Sequence, residues 1–227
     1  MKPSIIISTE DYAGLNIKSF LNGLHGFKET TETFHGSPVL AKEGVKVYTT
    51  EQKSIYCEGI DEEVEGDFII FATTHRSAAG TKSFSVHAPG NWDKAELGGN
   101  EKKLCTAMPD YMKEALKKLK SFYQGDEFEI IQECTHHGPY LKKPCMFIEI
   151  GSSETEWKRP DAGEIVANAV NYIATNPPKK SRSVIVLGGG HYNQVATKLM
   201  LNTEYSVGHI CPKHMLNALD EKMLKQA

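Results

Sequence analysis

Phe68-Ile69-Ile70-Phe71-Ala72-Thr73, running directly into Thr74-His75-Arg76-Ser77, is the stretch on which the fold turns. Consecutive apolar side chains cannot alternate between core and water, so Ile69-Ile70-Phe71 reads as a strand covered on both faces. Such strands belong to a sheet with helices packed on either side. Val184-Ile185-Val186-Leu187 has the same character, and residues 5–8, 45–49, 128–132, 145–150 and 205–210 supply further apolar runs of strand length. Between them the apolar spacing becomes helical. Ile17, Phe20, Leu21 and Leu24 form one stripe, and Met108, Met112, Leu116, Leu119 and Tyr123 another. Asp161 with Glu164 resembles a capping-box start to a helix carrying Ile165, Val166, Ala169, Val170 and Ile173, which Asn176-Pro177-Pro178 ends. A last helix is expected after Pro212, with Met215, Leu216, Leu219 and Met223 inward. This alternation predicts an α/β fold, a three-layer α/β/α arrangement with a mixed, largely parallel sheet, as one domain over residues 1–227. Residues 77–99, rich in Gly, Ala, Ser and His, read as a long loop of the kind functional sites use.

Composition removes several classes. With 40% hydrophobic and 24% charged residues the chain is ordinary for a globular protein, and no apolar run is long enough to span a bilayer. The start Met1-Lys2-Pro3-Ser4 followed by three isoleucines lacks the features of a signal peptide, so no membrane role and a cytoplasmic location are expected, with a monomer as the assembly. Five scattered cysteines without a C-x-x-C pair argue against a disulfide framework. Cys211 and His214 have C-x-x-H spacing, which a helix beginning near Pro212 explains as well as a metal does. A formal charge of −3 gives no global attraction to nucleic acid, leaving local clusters. Lys117 and Lys118 lie on one expected helix and Lys142-Lys143 in a loop; these four are the candidate RNA contacts, against the plainer reading of a solvated surface.

Ligands of open α/β sheets bind beyond the carboxyl ends of the strands, so the residues after each apolar run carry the functional signal. His75, Arg76 and Ser77 follow the first. Glu133-Cys134-Thr135-His136-His137-Gly138-Pro139 closes residues 128–132, and Gly188-Gly189-Gly190-His191-Tyr192 closes residues 183–187. Glu149 sits within the run 145–150, pointing the same way as Phe147, and is followed by Gly151-Ser152-Ser153. A carboxylate on an apolar face needs a partner, either Arg76 or a metal or histidine. If these four strands are parallel, their imidazoles and carboxylates converge on one rim. Imidazoles there can ligate a metal or move protons near neutral pH. The triple glycine lacks the lysine of a P-loop and admits a substrate backbone or phosphate closely, unless it is only a tight turn. His87-Ala88-Pro89-Gly90-Asn91-Trp92 offers an imidazole, an amide and an aromatic plane, suited to an aminoacyl group or a nucleobase if it does more than pack the loop.

The motifs Ile6-Ile7-Ser8-Thr9 to Asn16-Ile17, Tyr48-Thr49-Thr50 with Ser54-Ile55-Tyr56-Cys57, Thr74-His75-Arg76-Ser77, His87 to Trp92, Glu133 to Pro139, Glu149 to Glu154 with Trp157, and Gly189-Gly190-His191-Tyr192 occur in one order over nearly the whole chain. In this the sequence closely resembles the archaeal-type D-aminoacyl-tRNA deacylases, also called D-tyrosyl-tRNA deacylases. The resemblance implies hydrolysis of the ester joining a D-amino acid to the terminal ribose of tRNA, dependence on Zn2+ with two ions per subunit, and a phosphorylase/hydrolase-like fold. It also implies a chain that continues past the position of Ala227. Ester hydrolysis needs no covalent nucleophile when zinc lowers the pKa of its water to about 7 and a histidine or glutamate takes the proton. On that footing His75, His137, Glu149 and His191 are assigned to metal, and His87, Glu133 and His136 to acid and base work. Arg76, Ser77, Gly90, Asn91, Trp92, Ser152, Gly188, Gly189 and Gly190 are assigned to substrate. The rival readings are a zinc-dependent peptidase or amidohydrolase of related fold, and a non-enzymatic RNA- or metal-binding module.

Overall fold

A computed structural model describes residues 1–77 and 79–227; Ala78, inside the expected loop, lies outside the described residues. The strands are β1 (Pro3–Ser8), β2 (Lys28–Phe34), β3 (Ser37–Lys42), β4 (Val45–Thr50), β5 (Phe68–Arg76), β6 (Ser83–His87), β7 (Gly90–Asn91), β8 (Lys103–Leu104), β9 (Glu129–Gln132), β10 (Cys145–Ser152), β11 (Arg182–Leu187) and β12 (Tyr205–Cys211). The helices are α1 (Tyr12–Gly23), α2 (Ile60–Glu63), α3 (Pro109–Phe122), α4 (Glu154–Trp157), α5 (Pro160–Thr175), α6 (Gln194–Asn202) and α7 (Glu221–Gln226). Eight strands form one mixed sheet in the order β2-β3-β4-β1-β5-β10-β6-β9. Its centre, β4-β1-β5-β10, is parallel.

Each central strand splits its side chains between two cores. Ile5, Ile7, Ile70, Ala72, Ile148 and Ile150 face α1, α3 and α5, whose stripes of Ile17 and Leu21, Met112, Leu116 and Leu119, and Val166, Ala169, Val170 and Ile173 are fully buried against them. Ile6, Ile69, Phe71 and Phe147 face the other way, under Cys57, Ile60 and Val64 around α2 and under Leu141. This two-sided burial is why the central runs are continuously apolar.

Five expectations are corrected. Residues 77–99 are not one loop: Ser83-Phe84-Ser85-Val86-His87 is β6, inserted between β10 and β9. Its alternation puts Phe84 and Val86 into the helical core and Ser83, Ser85 and His87 on the opposite face, a period-two signal that composition obscured. Second, the four site-bearing strands are not parallel. β6 is antiparallel to β10 and parallel to β9, so β9 runs against β5 and β10. Third, β11 is not buried on both faces; it pairs with β12 alone in a two-stranded parallel sheet and is half-buried to exposed along its length. Fourth, α5 starts with Pro160 at its first turn and no side-chain cap, Asp161 pairing with Arg159 instead, while a capping box is formed by Ser153 and Glu156 at α4. Fifth, the chain after Pro212 is a 3-10 turn, Lys213–Ala218, before the short α7.

Candidate active site

The sheet face opposite the long helices carries the chemistry. On β5 Thr73 and His75 share that face; their register partners on β10 are Glu149 and Gly151, and those of Phe147 and Glu149 on β6 are His87 and Ser85. Paired residues of neighbouring strands project to the same side, so His75, Glu149 and His87 arise from three adjacent strands at fixed spacing. A side chain at Gly151 would collide with Ser83 Oγ and touch His75, so glycine there leaves room for both between the strands. Glu133 follows β9, its backbone N–H donating to Val86 O at 3.1 Å. The segment after it is laced into the fold by backbone pairs. Cys134 N–H donates to His191 O (2.8 Å), Thr135 N–H to Ile210 O (3.0 Å), and Gly90 N–H to His137 O (2.8 Å). These bonds bring His136, His137 and His191 over the sheet face.

Glu133 and Glu149 form the centre of the cluster. Glu133 Oε2 lies 2.9 Å from His191 Nε2, 3.2 Å from His75 Nδ1 and 3.6 Å from His136 Nε2. Glu149 lies 3.4 Å from His75 Nδ1 and 3.6 Å from His87 Nε2. Both carboxylates are buried. Burial opposes ionisation of Glu149, but the surrounding His87 and His75 outweigh it and hold its carboxyl well below the usual carboxylate range. Burial likewise works against a charge on His75 and His191, yet Glu149 and Glu133 raise His75, and Cys134 with Glu133 raises His191 to about 10.

His136 and His137 behave oppositely. Burial, reinforced by neighbouring imidazoles, pushes His136 far down and His137 to about 3, so both are neutral. His136 Nδ1–H donates to Cys134 O at 2.8 Å and His137 Nδ1–H to Gly138 O at 2.6 Å, which leaves the Nε2 lone pairs free. The lone pair of His136 therefore faces an oxygen of Glu133, acceptor against acceptor. Among the described residues, both ring nitrogens of His87 and Oε1 of Glu133 are also buried without a hydrogen-bond partner. Burying polar atoms this way costs several kcal/mol unless something satisfies them, and a cation drawn in among them would satisfy the facing lone pairs, one nitrogen per ring. Three overlapping groups have donor atoms within 4.8 Å of one another: His75, Glu133, His136 and His191; His87, His136 and His137; and His87, Glu133 and Glu149. Imidazole nitrogens and carboxylate oxygens suit Zn2+, so the residues fit the metal that the resemblance implies.

The cluster floors a cavity of about 840 Å3, lined also by Asp11, Tyr12, Ile55, Arg76, Leu97, Trp157 and Tyr192. That volume is in the usual range for a small-molecule site. The structure thus brings together all seven residues expected to bind metal or move protons. His75, His136, His137, Glu149 and His191 line the cavity, as do Arg76 and Ser77. His87 and Glu133 lie beneath its floor, at 0% and 1% exposure. Arg76 does not pair with Glu149; its guanidinium stacks 4.9 Å above the Trp157 ring.

Other expected substrate residues sit elsewhere. The Trp92 indole is buried with Leu104, Cys211 and Met223, its Nε1–H donating to Ile210 O at 3.1 Å. Asn91 donates to Gly98 O at 2.9 Å, and Gly90 secures His137 through its backbone. Ser152 is buried, its carbonyl accepting from Ser77 N–H at 3.3 Å. Gly188 and Gly189, at φ of 102° and 84°, make with Gly190 the turn that delivers His191. Cys211 is buried and His214 exposed, so they do not form a pair. Lys117 and Lys118 lie on α3, across the sheet from the cluster, with Lys118 Nζ 3.7 Å from the Tyr172 ring centre. Lys142 pairs with Glu62 at 2.5 Å, and Lys143 donates to Val64 O at 2.7 Å.

Sequence reasoning gave no site role to Asp11, Tyr12, Ile55 and Leu97, although all four lie in stretches it had singled out, because none of them sits at a strand end bearing an imidazole. It also missed His209. That residue is buried on β12, its Nε2–H donating to Cys105 O at 2.9 Å while Nδ1 accepts from the Thr135 hydroxyl at 3.0 Å, so it braces the His136-His137 segment from behind. A histidine inside the apolar run Val207-Gly208-His209-Ile210 was the available signal, because a buried polar group needs partners.

The sequence profile of the family described as D-aminoacyl-tRNA deacylase matches residues 62–227. Proteins named D-aminoacyl-tRNA deacylase from Thermococcus kodakarensis and Pyrococcus furiosus are 39% and 37% identical to the chain; each alignment covers 97% of it and 84% of the relative. One of the same name from Methanosarcina acetivorans is 37% identical over the whole chain and 80% of its own length. A crystal structure titled as a conserved protein of unknown function superposes with a TM-score of 0.91 at 33% identity, covering 98% of this chain and 80% of that one. The chain belongs to the D-aminoacyl-tRNA deacylase family.

Proposed function

We propose that this member of the D-aminoacyl-tRNA deacylase family hydrolyses the ester of D-aminoacyl-tRNA to free D-amino acid and tRNA, in the cytoplasm and as a monomer, using Zn2+ held over the sheet face. The observation that carries the reading is the cluster beneath an open cavity in which the His87 nitrogens and Glu133 Oε1 are buried without partners, the Nε2 lone pairs of His136 and His137 are uncommitted, and the donor atoms fall in overlapping groups within 4.8 Å of one another. Evolution of such a site without a cation would leave several kcal/mol of unsatisfied burial. Zinc, when bound, supplies a water of lowered pKa and polarises the ester carbonyl.

His75, His87, His136, His137 and Glu149 are the proposed ligands. His136 and His137 suit that role because their Nδ1–H groups are committed to carbonyls and their Nε2 atoms carry lone pairs. His87 suits it because it is fully buried and does not reach the cavity. This moves His87 and His136 from acid-base work to metal binding, and His191 the other way. His191 has the more exposed ring, 44% against 8% for His75, and its Nε2 shares a proton with Glu133 Oε2 at 2.9 Å. Because His191 already carries its proton, the Glu133 carboxylate takes the proton of the attacking water, and His191 gives one to the ribose oxygen as the ester C–O bond breaks. Cys134 Sγ, 3.6 Å from His191 Nδ1, orients the ring.

Incubating the purified protein with D-tyrosyl-tRNA and L-tyrosyl-tRNA, with chelator and after zinc is restored, tests the reading. Release of D-tyrosine only, lost on chelation and regained with zinc, is expected. Cleavage of peptides or N-acyl amino acids in preference to either tRNA would instead establish the peptidase or amidohydrolase alternative.

A further inference from the structure

We infer that the cavity is divided about its histidine floor, the 3′-terminal adenosine of the tRNA lying against Tyr12, Arg76 and Trp157, and the D-amino-acid side chain under Ile55 and Leu97. The inference rests on the deacylase reading and adds to it the direction in which the substrate enters.

The two walls differ in chemistry. On one side Tyr12, the first residue of α1, is 48% exposed at the cavity, with Lys158 Nζ 3.9 Å from its ring centre. Arg76 stacks on Trp157, and the Trp157 Nε1–H donates to the carbonyl of His75 at 3.1 Å, which joins this wall to the floor. Aromatic planes interleaved with cations are what a single-stranded nucleotide requires. The base has a π face to stack, and the phosphate beyond it needs positive charge. Lys158 lies over the Tyr12 ring and is paired with Glu154, which with Glu10 and Asp11 also lines the cavity, so a base would be held here by stacking more than by charge.

A second stretch of the lining, Ile55 and Leu97, is aliphatic, with Lys53 and Ser54 beside it. Leu97 is 52% exposed, and its backbone carbonyl accepts from Gly138 N–H at 2.9 Å, next to His137. Ile55 is brought beside it where the chain passes so closely at Gly98 that any side chain there would strike Ile55 O. Neither side chain can donate or accept a hydrogen bond or stack on a base, so this stretch suits side chains of varied identity, and the neighbouring Lys53 is held toward Glu10 at 4.0 Å. The reverse orientation would strip water from the Arg76 guanidinium against an aliphatic or phenolic side chain and leave the nucleotide without a stacking partner. The ester between the two parts of the substrate then falls over His75, His136 and His137.

AMP is the probe for the adenosine wall, titrated calorimetrically into the zinc-loaded full chain. Tyr12→Ala is expected to weaken AMP by about 5- to 100-fold, the range for loss of one stacked base, and Tyr12→Phe to stay within about twofold of the parent. Leu97→Ala is expected to leave AMP binding within about twofold but to change the ratio of kcat/KM for D-tyrosyl-tRNA over D-alanyl-tRNA by about fivefold or more. Near-UV circular dichroism checks each fold. The assignment is overturned if AMP does not bind the parent, if Tyr12→Ala binds it normally, or if Leu97→Ala is the variant that loses it. A parent that binds AMP through Tyr12 yet leaves D-tyrosyl-tRNA intact would support the nucleotide wall while refuting the deacylase reading.

Discussion

Replacing His209 with Gln should flatten the acid side of the stability curve, by an amount the structure fixes. His209 is completely buried and is used in both directions, giving Nε2–H to Cys105 O and taking the Thr135 hydroxyl at Nδ1, while that same Thr135 oxygen accepts from Ile210 N–H at 3.1 Å. Burial pushes its pKa down to about 4. In the unfolded chain the ring titrates near 6.5, so between these values the unfolded state binds a proton that the folded state refuses. Stability therefore falls as the pH drops through this window. The loss is about 2 kcal/mol between pH 7 and pH 5, and approaches about 3 kcal/mol below pH 4. Glutamine can imitate the neutral ring's donor and acceptor but carries no proton to lose, so the variant lacks this part of the slope whatever its offset at pH 7. Urea unfolding followed by tryptophan fluorescence, with chelator present throughout, measures it; the Trp92 ring centre is 6.3 Å from that of His209. For a chain of this length the missing slope corresponds to about 4–8 °C of melting temperature between pH 7 and 5. Parallel curves for parent and variant would show that His209 takes up its proton inside the fold, and the neutral brace behind the His136-His137 segment would be wrong.

His136→Ala and His137→Ala should each lower deacylation by roughly 100-fold or more with the fold retained, the scale for losing a metal ligand or a proton-transfer group; parental rates in both would make the pair structural. Metal analysis should find zinc in the parent and less of it in Glu149→Gln and His87→Ala, whereas Glu133→Gln should keep most of the metal and lose turnover. Gly151→Ala should destabilise the protein by about 1–3 kcal/mol, since its Cβ forces the Ser83 hydroxyl to turn away from Tyr192 and crowds His75; thermal denaturation reads this directly, and an unchanged midpoint would mean the hydroxyl turns without cost. Each of Lys117, Lys118, Lys142 and Lys143 that contacts phosphate should make the salt dependence of tRNA binding shallower by up to about one unit when replaced by Ala. Because Lys117 and Lys118 lie across the sheet from the cavity, the pair Lys142 and Lys143 is expected to account for most of any change.

Much of the site was legible because its residues break local rules. Glu149 interrupts a run of apolar side chains, His75 ends one, and the adjacent His136 and His137 leave a strand at a Gly-Pro step. Each of these departures has a cost that a functional role offsets, and the structure gathers all of them around one cavity. The helices were legible too, since their stripes depend only on the period of the chain. Strand direction was not. Nothing within Glu129–Gln132 distinguishes parallel from antiparallel pairing, because that depends on β6, and β6 was hidden in a segment whose serines and glycines suggested a loop. The role of Trp92 was misjudged for a related reason. An indole beside Pro-Gly fits a substrate or a core, and only the arrival of β12, with Cys211, and of Met223 from the distant α7 decides for the core.

The reversed strand changes what kind of site this is. In an all-parallel sheet, functional groups reach the ligand from loops beyond the strand ends. Here β6 and β9 enter against β10, so the ends of strands running in opposite directions reach the same patch: His75 near the end of β5, Glu149 late in β10, His87 at the end of β6 and Glu133 just after β9. Three groups thus stand on the pleated surface itself, where spacing is set by the hydrogen-bonded ladder and every other residue points the same way, and Glu133 follows one residue past it. Loops add His136, His137 and His191 from above. A metal-binding or proton-transferring group works only if held within a fraction of an ångström, and sheet positions supply that rigidity more reliably than loops. The segments bearing the last three histidines gain it by a different route. Backbone bonds from Gly90 and Cys134, and the His209–Thr135 brace, pin them to strands on both sides. The mobile demands of admitting a tRNA end can then be met by the cavity walls, while the histidine floor stays fixed.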